Sequence, residues 1–311
     1  MPVDSRTHDA GCENAPRILV SGITGHVGRE LACQLAASGV KVFGLTRQMA
    51  SAVPTWPYPI TLCRFDGSLE TLLGLFREVR PDTVIHLAAL ARRDHLPTDV
   101  TPFIEANILL GTQLLEAMRH SGCRRFITAE SILQYSDTGS YRPLNFYSAT
   151  KQSFANLLSY YVDAFDIAAI ALVLPTIYSE YEVLPKLMTD IAAAAQNATT
   201  LNLQADEVLI DFVHVQDVAQ SFVRAAAILD AQTNAKAASL SRYCISSGTG
   251  ITPRDLVALF ERISEKTISV HRQPSQANAR RVRPWHGPVL PGWTPQVDLE
   301  TGIKRMLSKP R

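Results

Sequence analysis

From Arg17 onward, the chain alternates short apolar runs with longer segments whose apolar positions recur every three or four residues. The run at 17–22 predicts a first strand, and Val27, Leu31 and Leu35 predict an amphipathic helix that ends at Gly39. Such alternation is typical of βαβ units, so we expect an α/β fold with a doubly wound parallel sheet. Further strands are predicted at 40–46, 60–66, 82–90, 124–129 and 167–174, and helices at 102–122 and around 147–165.

The alternation loosens beyond Pro175, and Pro, Trp and Arg become denser near the end of the chain. We therefore predict a smaller C-terminal lobe packed over the carboxyl edge of the sheet. The predicted large domain spans 17–175, with 208–247 returning to it, and the lobe comprises 176–207 and 248–311. Residues 1–16 are polar and are expected to be a disordered leader.

Composition narrows the possible functions. The 311 residues are 46% hydrophobic with a net charge of +1, so no broad field attracts nucleic acid or an anionic membrane. No apolar run approaches the roughly 20 residues of a membrane helix. The five cysteines are scattered and never spaced as CxxC, which argues against disulfides and a metal site and favours a reducing cytoplasm.

The segment SGITGHVG places Gly22, Gly25 and Gly28 between the first strand and the first helix. A tight turn, a close backbone approach and a helix N-terminus are what a dinucleotide pyrophosphate requires, which indicates a Rossmann-type domain. At the end of the second strand, Arg47 favours NADP(H) over NAD(H), because a guanidinium can neutralise a 2′-phosphate. Asp66, after the third strand, is a candidate contact to the adenine edge.

Tyr147 and Lys151 in YSATK are by themselves one turn of an ordinary helix. Their context changes this interpretation, because the chain resembles the extended short-chain dehydrogenase/reductases that modify nucleotide-activated sugars. The resemblance runs from Arg17 almost to the end and rests on seven segments in family order. They are GITGHVG at 22–28, HLAA at 86–89, NILLGTQLLEA at 107–117, RRFITAESILQY at 124–135, YSATK at 147–151, IDFVHVQDVAQSF at 210–222 and LPGWTPQVDLETGI at 290–303.

The resemblance implies that Tyr147 is the catalytic acid/base, with Lys151 lowering its pKa and holding the nicotinamide ribose. Ser131, four residues before Tyr135, is the candidate that binds the substrate oxygen, with Thr128 as the alternative. The implied cofactor-binding residues are Gly22, Thr24, Gly25, His26, Val27, Gly28, Arg47, Asp66, Leu87, Ala88, Ala89, Lys151 and Pro175. The implied substrate-binding residues are Arg92, Arg93, Thr176, Lys186, Arg281 and Arg283.

Relatives that dehydrate the sugar carry an Asp-Glu pair where this chain has Ile132 and Leu133, so dehydration is disfavoured. The resemblance implies NADP-dependent reduction of a nucleotide-linked 4-keto(-6-deoxy) sugar in deoxysugar biosynthesis, nearest to reductases of the CDP-abequose and CDP-paratose type. The alternatives are an epimerase of the same fold and a catalytically silent NADP-binding sensor or scaffold. The chain departs from many relatives at Ile210, where they have an arginine for the substrate pyrophosphate, and at Thr176, where an Asn is common.

Three further expectations complete the sequence analysis. His86 and His214 are interpreted as packed, hydrogen-bonded side chains rather than metal ligands. The isolated cysteines are expected to be small core residues. The helices around 107–118 and 147–161 are expected to form a homodimer interface, as in relatives.

Overall fold

The computed structural model describes residues 15–47, 56–135, 140–182, 186–203, 208–232, 238–272 and 287–309. The strands within these ranges are β1 (Arg17–Ser21), β2 (Lys41–Thr46), β3 (Thr61–Arg64), β4 (Thr83–His86), β5 (Arg125–Ser131), β6 (Ala168–Leu174), β7 (Thr176–Tyr178), β8 (Leu201–Leu203), β9 (Ile210–His214), β10 (Ser239–Cys244), β11 (Gly250–Ile251) and β12 (Val270–Arg272).

The helices of the described residues cover both faces of the main sheet and form a further cluster beside it. They are α1 (His26–Ala37), α2 (Leu69–Val79), α3 (Val100–Ile104), α4 (Leu110–Ser121), α5 (Phe146–Phe165), α6 (Leu187–Asn197), α7 (Val215–Ala231), α8 (Pro253–Ser264) and α9 (Leu299–Ser308). A π-helical segment, Glu105–Leu109, connects α3 to α4 without a break.

The main sheet has seven parallel strands in the order β10-β6-β5-β4-β1-β2-β3. The order reverses between β1 and β4, and this switch point is where doubly wound sheets bind ligands at their carboxyl edge. The predicted α/β fold with a doubly wound parallel sheet is confirmed. Each predicted strand is present, and its observed ends lie within four residues of the predicted ones. Helix α2 was not predicted from the sequence.

Side chains of the main sheet alternate between two hydrophobic layers, as the pleat requires. In β5, Ile127 packs in the layer that contains Phe222 of α7, whereas Phe126 packs in the layer that contains Leu114 of α4 and Phe154 of α5. All four residues of β4 are buried, as expected for a central strand covered on both faces.

A third hydrophobic cluster lies among α6, α8, α9 and the strands around them. Strands β11, β9 and β7 form a three-stranded sheet, and β12 pairs with β8. Strand β9 therefore pairs outside the main sheet, although the predicted boundaries assign 208–247 to the large domain. Strand β10, in the same segment, does join the main sheet. The division into a large domain and a smaller lobe stays a prediction.

Within the described ranges, no helix has both the length and the hydropathy that spanning a bilayer requires.

The position of α5 depends on close packing against α4. A Cβ added at Gly111 of α4 would lie 2.4 Å from the Phe154 ring, whereas a Cβ added at Gly74 of α2 would meet nothing within 4 Å. The phenyl ring of Phe154 is buried and cannot retreat without disturbing its neighbours.

We predict that Gly111→Ala lowers the free energy of unfolding, because overpacking a core costs about 1–3 kcal/mol and exceeds the gain in helix propensity. Gly74→Ala is the matched control and should raise that free energy by about 0.5–1 kcal/mol, because alanine favours an open helical position. Urea unfolding of both variants measures whether each substitution raises or lowers the free energy of unfolding. Equal stabilisation by both substitutions would contradict the packing of α4 on α5.

Candidate active site

Two glycines where β1 leads into α1, one in the loop and one in the first turn of the helix, have no room for a side chain. Gly22 has a φ of 74°, and a Cβ there would lie 2.6 Å from the Ala88 backbone nitrogen. A Cβ at Gly28 would lie 2.1 Å from the Gly22 carbonyl oxygen. Helix α1 begins with Gly25 as its N-cap and has no acidic residue in its first turn. The tight turn therefore ends at a helix N-terminus, where free backbone N–H groups and the helix dipole favour the binding of an anion.

A cavity of about 550 Å³ opens beside this loop at the carboxyl edge of the sheet. The π-helical segment contributes its far wall through Glu105, Ala106 and Leu109. The cavity lies at the switch point between β1 and β4, so the residues present fit the adenosine half of a dinucleotide. Eight predicted cofactor-binding residues line it: Gly22, Thr24, Gly25, Arg47, Asp66, Leu87, Ala88 and Ala89.

Arg47 and Asp66 occupy neighbouring strand ends in this cavity. Arg47 is exposed, so its guanidinium is accessible to an anion. The Asp66 carboxylate accepts hydrogen bonds from the Ser68 backbone nitrogen at 2.9 Å and the Ser68 hydroxyl at 2.8 Å. These bonds, with one to Thr71, lower the pKa of Asp66 to about 2. Its contact with adenine stays a prediction.

The other predicted cofactor residues lie outside the cavity wall. The His26 ring points to the segment after β7, where Nε2 lies 2.7 Å from the Ser179 hydroxyl and Nδ1 lies 2.7 Å from Glu182. The His26 side chain therefore links the glycine loop to that segment. Val27 lies in the first turn of α1, and Pro175 follows β6.

Ser131, Tyr147 and Lys151 come together at the carboxyl end of β5 and the first turns of α5. The hydroxyl of Ser131 lies near enough to the phenol of Tyr147 to lower its pKa. Lys151 follows one helical turn later and is only 3% exposed. Asn145 caps α5 by accepting a hydrogen bond from the Ser148 backbone nitrogen at 3.0 Å. Thr128, the alternative to Ser131, instead donates to the His86 carbonyl oxygen at 3.5 Å and is buried.

The expected lowering of the Tyr147 pKa by Lys151 is not what the structure gives. Burial raises the pKa of Tyr147 to about 12, and the Ser131 hydroxyl offsets only part of this rise. Desolvation outweighs nearby charge because the phenolate would lose more hydration than its neighbours replace. Tyr147 is therefore a protonated phenol throughout the neutral range.

Burial also lowers the pKa of Lys151 to about 8, with the charge of Glu130 acting in the opposite direction. His86 is packed as predicted, between the rings of Phe126 and Phe154, with Nδ1 2.7 Å from the Ser21 hydroxyl. Burial, followed by the charge of Lys151, lowers its pKa to about 3, so it is neutral. The other ring nitrogen of His86 has no hydrogen-bond partner among the described residues.

Two buried polar residues of the site were not identified from the sequence. Asn107 in the π-helical segment accepts from the Leu90 backbone nitrogen at 2.7 Å and donates to the Leu90 carbonyl oxygen and the Thr150 hydroxyl. Glu130, directly before Ser131, accepts from Tyr135. The sequence did offer a signal for the first of them, because Asn107 and Glu105 are the two polar residues in an otherwise apolar segment at 103–110.

Two of the predicted substrate-binding cations contact a carboxylate. Arg92 contacts Asp99 at 2.7 Å, and Lys186 contacts Glu182 at 2.5 Å. The role of both in substrate binding stays a prediction. Arg93 is exposed, and Thr176 and Lys186 line a small cavity of about 60 Å³. Arg281 and Arg283 lie outside the described residues.

The remaining sequence interpretations concern packed residues. His214 is buried, contacts Glu180 at 2.9 Å and caps α7, as predicted for a hydrogen-bonded histidine. Cys63, Cys123 and Cys244 are buried, and Cys33 is half-buried. In the part of the chain that is described, no three His, Cys, Asp or Glu side chains are grouped as a metal site would require.

Comparison with known proteins agrees with this geometry. Residues 18–238 match the model of the NAD dependent epimerase/dehydratase family. The chain therefore belongs to that family, which confirms the resemblance inferred from its motifs.

Individual relatives are distant but match over almost their full length. The chain is 25% identical to CDP-abequose synthase of Salmonella muenchen, over 94% of this chain and 97% of the relative. It is 24% identical to GDP-6-deoxy-D-mannose reductase of Pseudomonas aeruginosa, over 94% and 96%. The crystal structure of UDP-glucose 4-epimerase from Brucella ovis in complex with NAD superposes with a TM-score of 0.80 at 21% identity, over 94% and 98%.

Proposed function

We propose that this chain catalyses the NADP-dependent reduction of a nucleotide-linked 4-keto-6-deoxy sugar, with Tyr147 as the proton donor. The observation that carries the proposal is the convergence of Ser131, Tyr147 and Lys151 at the sheet edge that also bears the glycine loop. A protein that only bound a dinucleotide would have no use for a phenol, a hydroxyl and a buried ammonium in one place. A silent sensor or scaffold is disfavoured for this reason.

The chemistry divides between the cofactor and these side chains. A nicotinamide cofactor, when bound, supplies the hydride for such a reduction. Tyr147 donates its proton to the carbonyl oxygen as negative charge develops there, and Ser131 donates a hydrogen bond to the same oxygen. The Lys151 ammonium stabilises the phenolate that Tyr147 becomes and would hold the ribose. Gly22 and Gly25 would receive the cofactor pyrophosphate at the start of α1.

The substrate class is supported by the names of the relatives. CDP-abequose synthase and GDP-6-deoxy-D-mannose reductase both carry a nucleotide-linked sugar in their names. The residues after β5, Ile132 and Leu133, provide no carboxylate for dehydration. Glu130, the nearest acid in the sequence, already accepts hydrogen bonds from Tyr135 and Arg242. Hydride transfer without loss of water is the reaction that remains.

An epimerase is the second candidate, because the chain also resembles UDP-glucose 4-epimerases. Epimerisation begins by oxidising a hydroxyl, so its acid/base residue must first accept a proton. A Tyr147 pKa of about 12 favours the opposite starting state, the protonated phenol that reduction consumes. Arg47 in the adenosine cavity favours NADP, which suits net reduction.

The proposed homodimer uses the two helices next to the site. Ile104 at the end of α3 and Tyr160 on α5 are exposed, and Ile108 and Leu157 are half-buried. Apolar side chains at such positions are suited to pack against a second copy.

For the reaction, we predict that wild-type protein consumes NADPH with one member of a panel of CDP-, dTDP-, UDP- and GDP-linked 4-keto-6-deoxy sugars. Tyr147→Phe should lower kcat by roughly 10²- to 10⁴-fold while NADPH affinity is retained, because only the proton donor is lost. Absorbance loss at 340 nm and NADPH fluorescence titration measure the two quantities.

Tyr58→Phe, at an exposed tyrosine that does not line the cavity, is the matched control and should leave turnover unchanged. Near wild-type turnover by Tyr147→Phe would refute its catalytic role. Interconversion of UDP-sugars without net NADPH loss would favour the epimerase, and silence across both assays would favour the sensor.

For the cofactor, we predict that Arg47→Ala weakens NADPH binding by roughly 1.5 to 3 kcal/mol and leaves NADH binding nearly unchanged. The guanidinium would bond to the 2′-phosphate, which only NADPH carries. Arg64→Ala is the control, because Arg64 ends the adjacent strand β3 and does not line the cavity. Equal losses for both cofactors would contradict the assignment.

For the assembly, we predict a dimeric mass by light scattering at micromolar concentration. Tyr160→Asp should shift that mass toward the monomer, because a carboxylate would be buried in the proposed interface. Wild-type protein with a monomeric mass would contradict the interface.

A further inference from the structure

Glu130 is a buried carboxylate immediately before Ser131 on β5. It is 3% exposed and faces the α5 layer, because alternate residues of β5 face opposite sides of the sheet. Arg242 of β10 contacts both of its oxygens through Nε, at 3.0 and 3.3 Å. Tyr135 donates its hydroxyl to Glu130 at 3.0 Å. The carboxylate is therefore fixed from two directions at the catalytic end of the strand.

An ion pair in this place has little value for stability alone. Removing two charges from water costs several kcal/mol per ion, and apolar pairs of the same volume often stabilise as much. Arg242 and Glu130 are 112 positions apart, and Arg242 reaches Glu130 across β6, where it pairs with Ala171. Such an arrangement calls for a role beyond packing.

Glu130 and Lys151 lie in the same layer between β5 and α5. This follows because Glu130 shares a strand face with Phe126, and Lys151 shares a helix face with Phe154 and Leu158. Those three apolar side chains pack in one cluster. The charge of Glu130 favours the protonated form of Lys151.

Lys151 is buried, and an ammonium in that position is held charged only if a negative charge faces it. Glu130 provides that charge, because His86 is neutral and Tyr147 is protonated. The groups that interact electrostatically with Lys151 are Glu130 of β5 and His86 of β4. Tyr147 precedes Lys151 by one turn of α5, and Arg242 of β10 and Tyr135 contact Glu130.

We propose that Glu130 is a positioning residue for catalysis: its carboxylate, oriented by Arg242 and Tyr135, keeps the buried Lys151 ammonium charged. The expected effect on turnover rests on the proposed function. The expected effect on the protonation of Lys151 does not. Arg242 has a second effect, because its positive charge partly neutralises the Glu130 carboxylate and so weakens the attraction between Glu130 and Lys151. The pair thus sets the upper end of the pH range in which Lys151 can stabilise a phenolate.

The sign of the effect on activity follows from the protonation states. Reduction needs Lys151 charged and Tyr147 protonated, and Lys151 loses its proton at the lower pH, near 8. The rate should therefore decline as the pH rises through about 8. Glu130→Gln removes the negative charge that favours the Lys151 ammonium. The pH at which the rate declines should therefore fall by about one unit.

The decisive measurement is the titration of Lys151 in the intact protein. The ¹³C chemical shift of its ε-carbon, followed across pH by NMR and assigned with a Lys151→Arg variant, reports the protonation of this one side chain without requiring access to it. The midpoint should fall by about one unit in Glu130→Gln and recover in Glu130→Asp, which keeps the charge. This readout does not depend on turnover, so a failed reductase assay leaves it intact.

The chain contains a matched control. Glu116 of α4 accepts from the Tyr161 hydroxyl at 2.9 Å and from Arg119 at 2.7 Å, the same partner types as those of Glu130. Tyr161 lies ten residues beyond Lys151 on α5, about 15 Å along the helix axis. Glu116→Gln should therefore leave the Lys151 midpoint unchanged.

A second variant covers the case in which Glu130→Gln does not fold. The double substitution Glu130→Met with Arg242→Met removes both charges and leaves no unpaired ion. Its Lys151 midpoint should lie below that of wild type and above that of Glu130→Gln. An unchanged midpoint in whichever of these variants folds, with only a lower melting temperature, would overturn the proposal and leave a structural ion pair.

Discussion

The chain after β1 can lie against the chain after β4 only because Gly22 carries no side chain. Its φ of 74° turns the backbone, and a Cβ would come within 2.6 Å of the Ala88 nitrogen. This contact closes the crevice where the strand order reverses, so the loops after both strands line one cavity. Arg47 follows the neighbouring strand β2 at the same edge, and its guanidinium can meet a bound ligand only because that cavity exists.

A second constraint holds α5 to this edge of the sheet. The Asn107 side chain bonds both polar backbone groups of Leu90 and the Thr150 hydroxyl, so one amide joins the loop after β4, the π-helical segment and α5. Leaving any of these buried groups unpaired would cost about 1–3 kcal/mol each. The π turn is the kind of local irregularity found at functional sites, and here it orients Asn107 inward while Glu105 faces the cavity.

Much of this architecture was predictable because it is local. Alternating apolar runs indicated the strands of the sheet, and glycine spacing indicated the tight turn before α1. Helix α2 was missed although Leu72, Phe76 and Val79 carry its buried face at helical spacing. The pairing of Lys186 with Glu182 is an i, i+4 relation that the sequence also offered. By contrast, His26 meets Ser179 across 153 positions, and only the folded topology brings such residues together.

The same distinction explains why the protonation of the site was predicted incorrectly. The sequence places Lys151 one turn from Tyr147 and suggests that charge alone decides the phenol's pKa. In the fold, burial moves both groups toward their neutral forms, and the largest effect on each is desolvation. A charge in such surroundings acts more strongly than in water, so one buried carboxylate can decide whether the ammonium persists. That carboxylate, Glu130, depends on Arg242 two strands away, which makes the chemistry of the site a property of the whole sheet rather than of a five-residue motif.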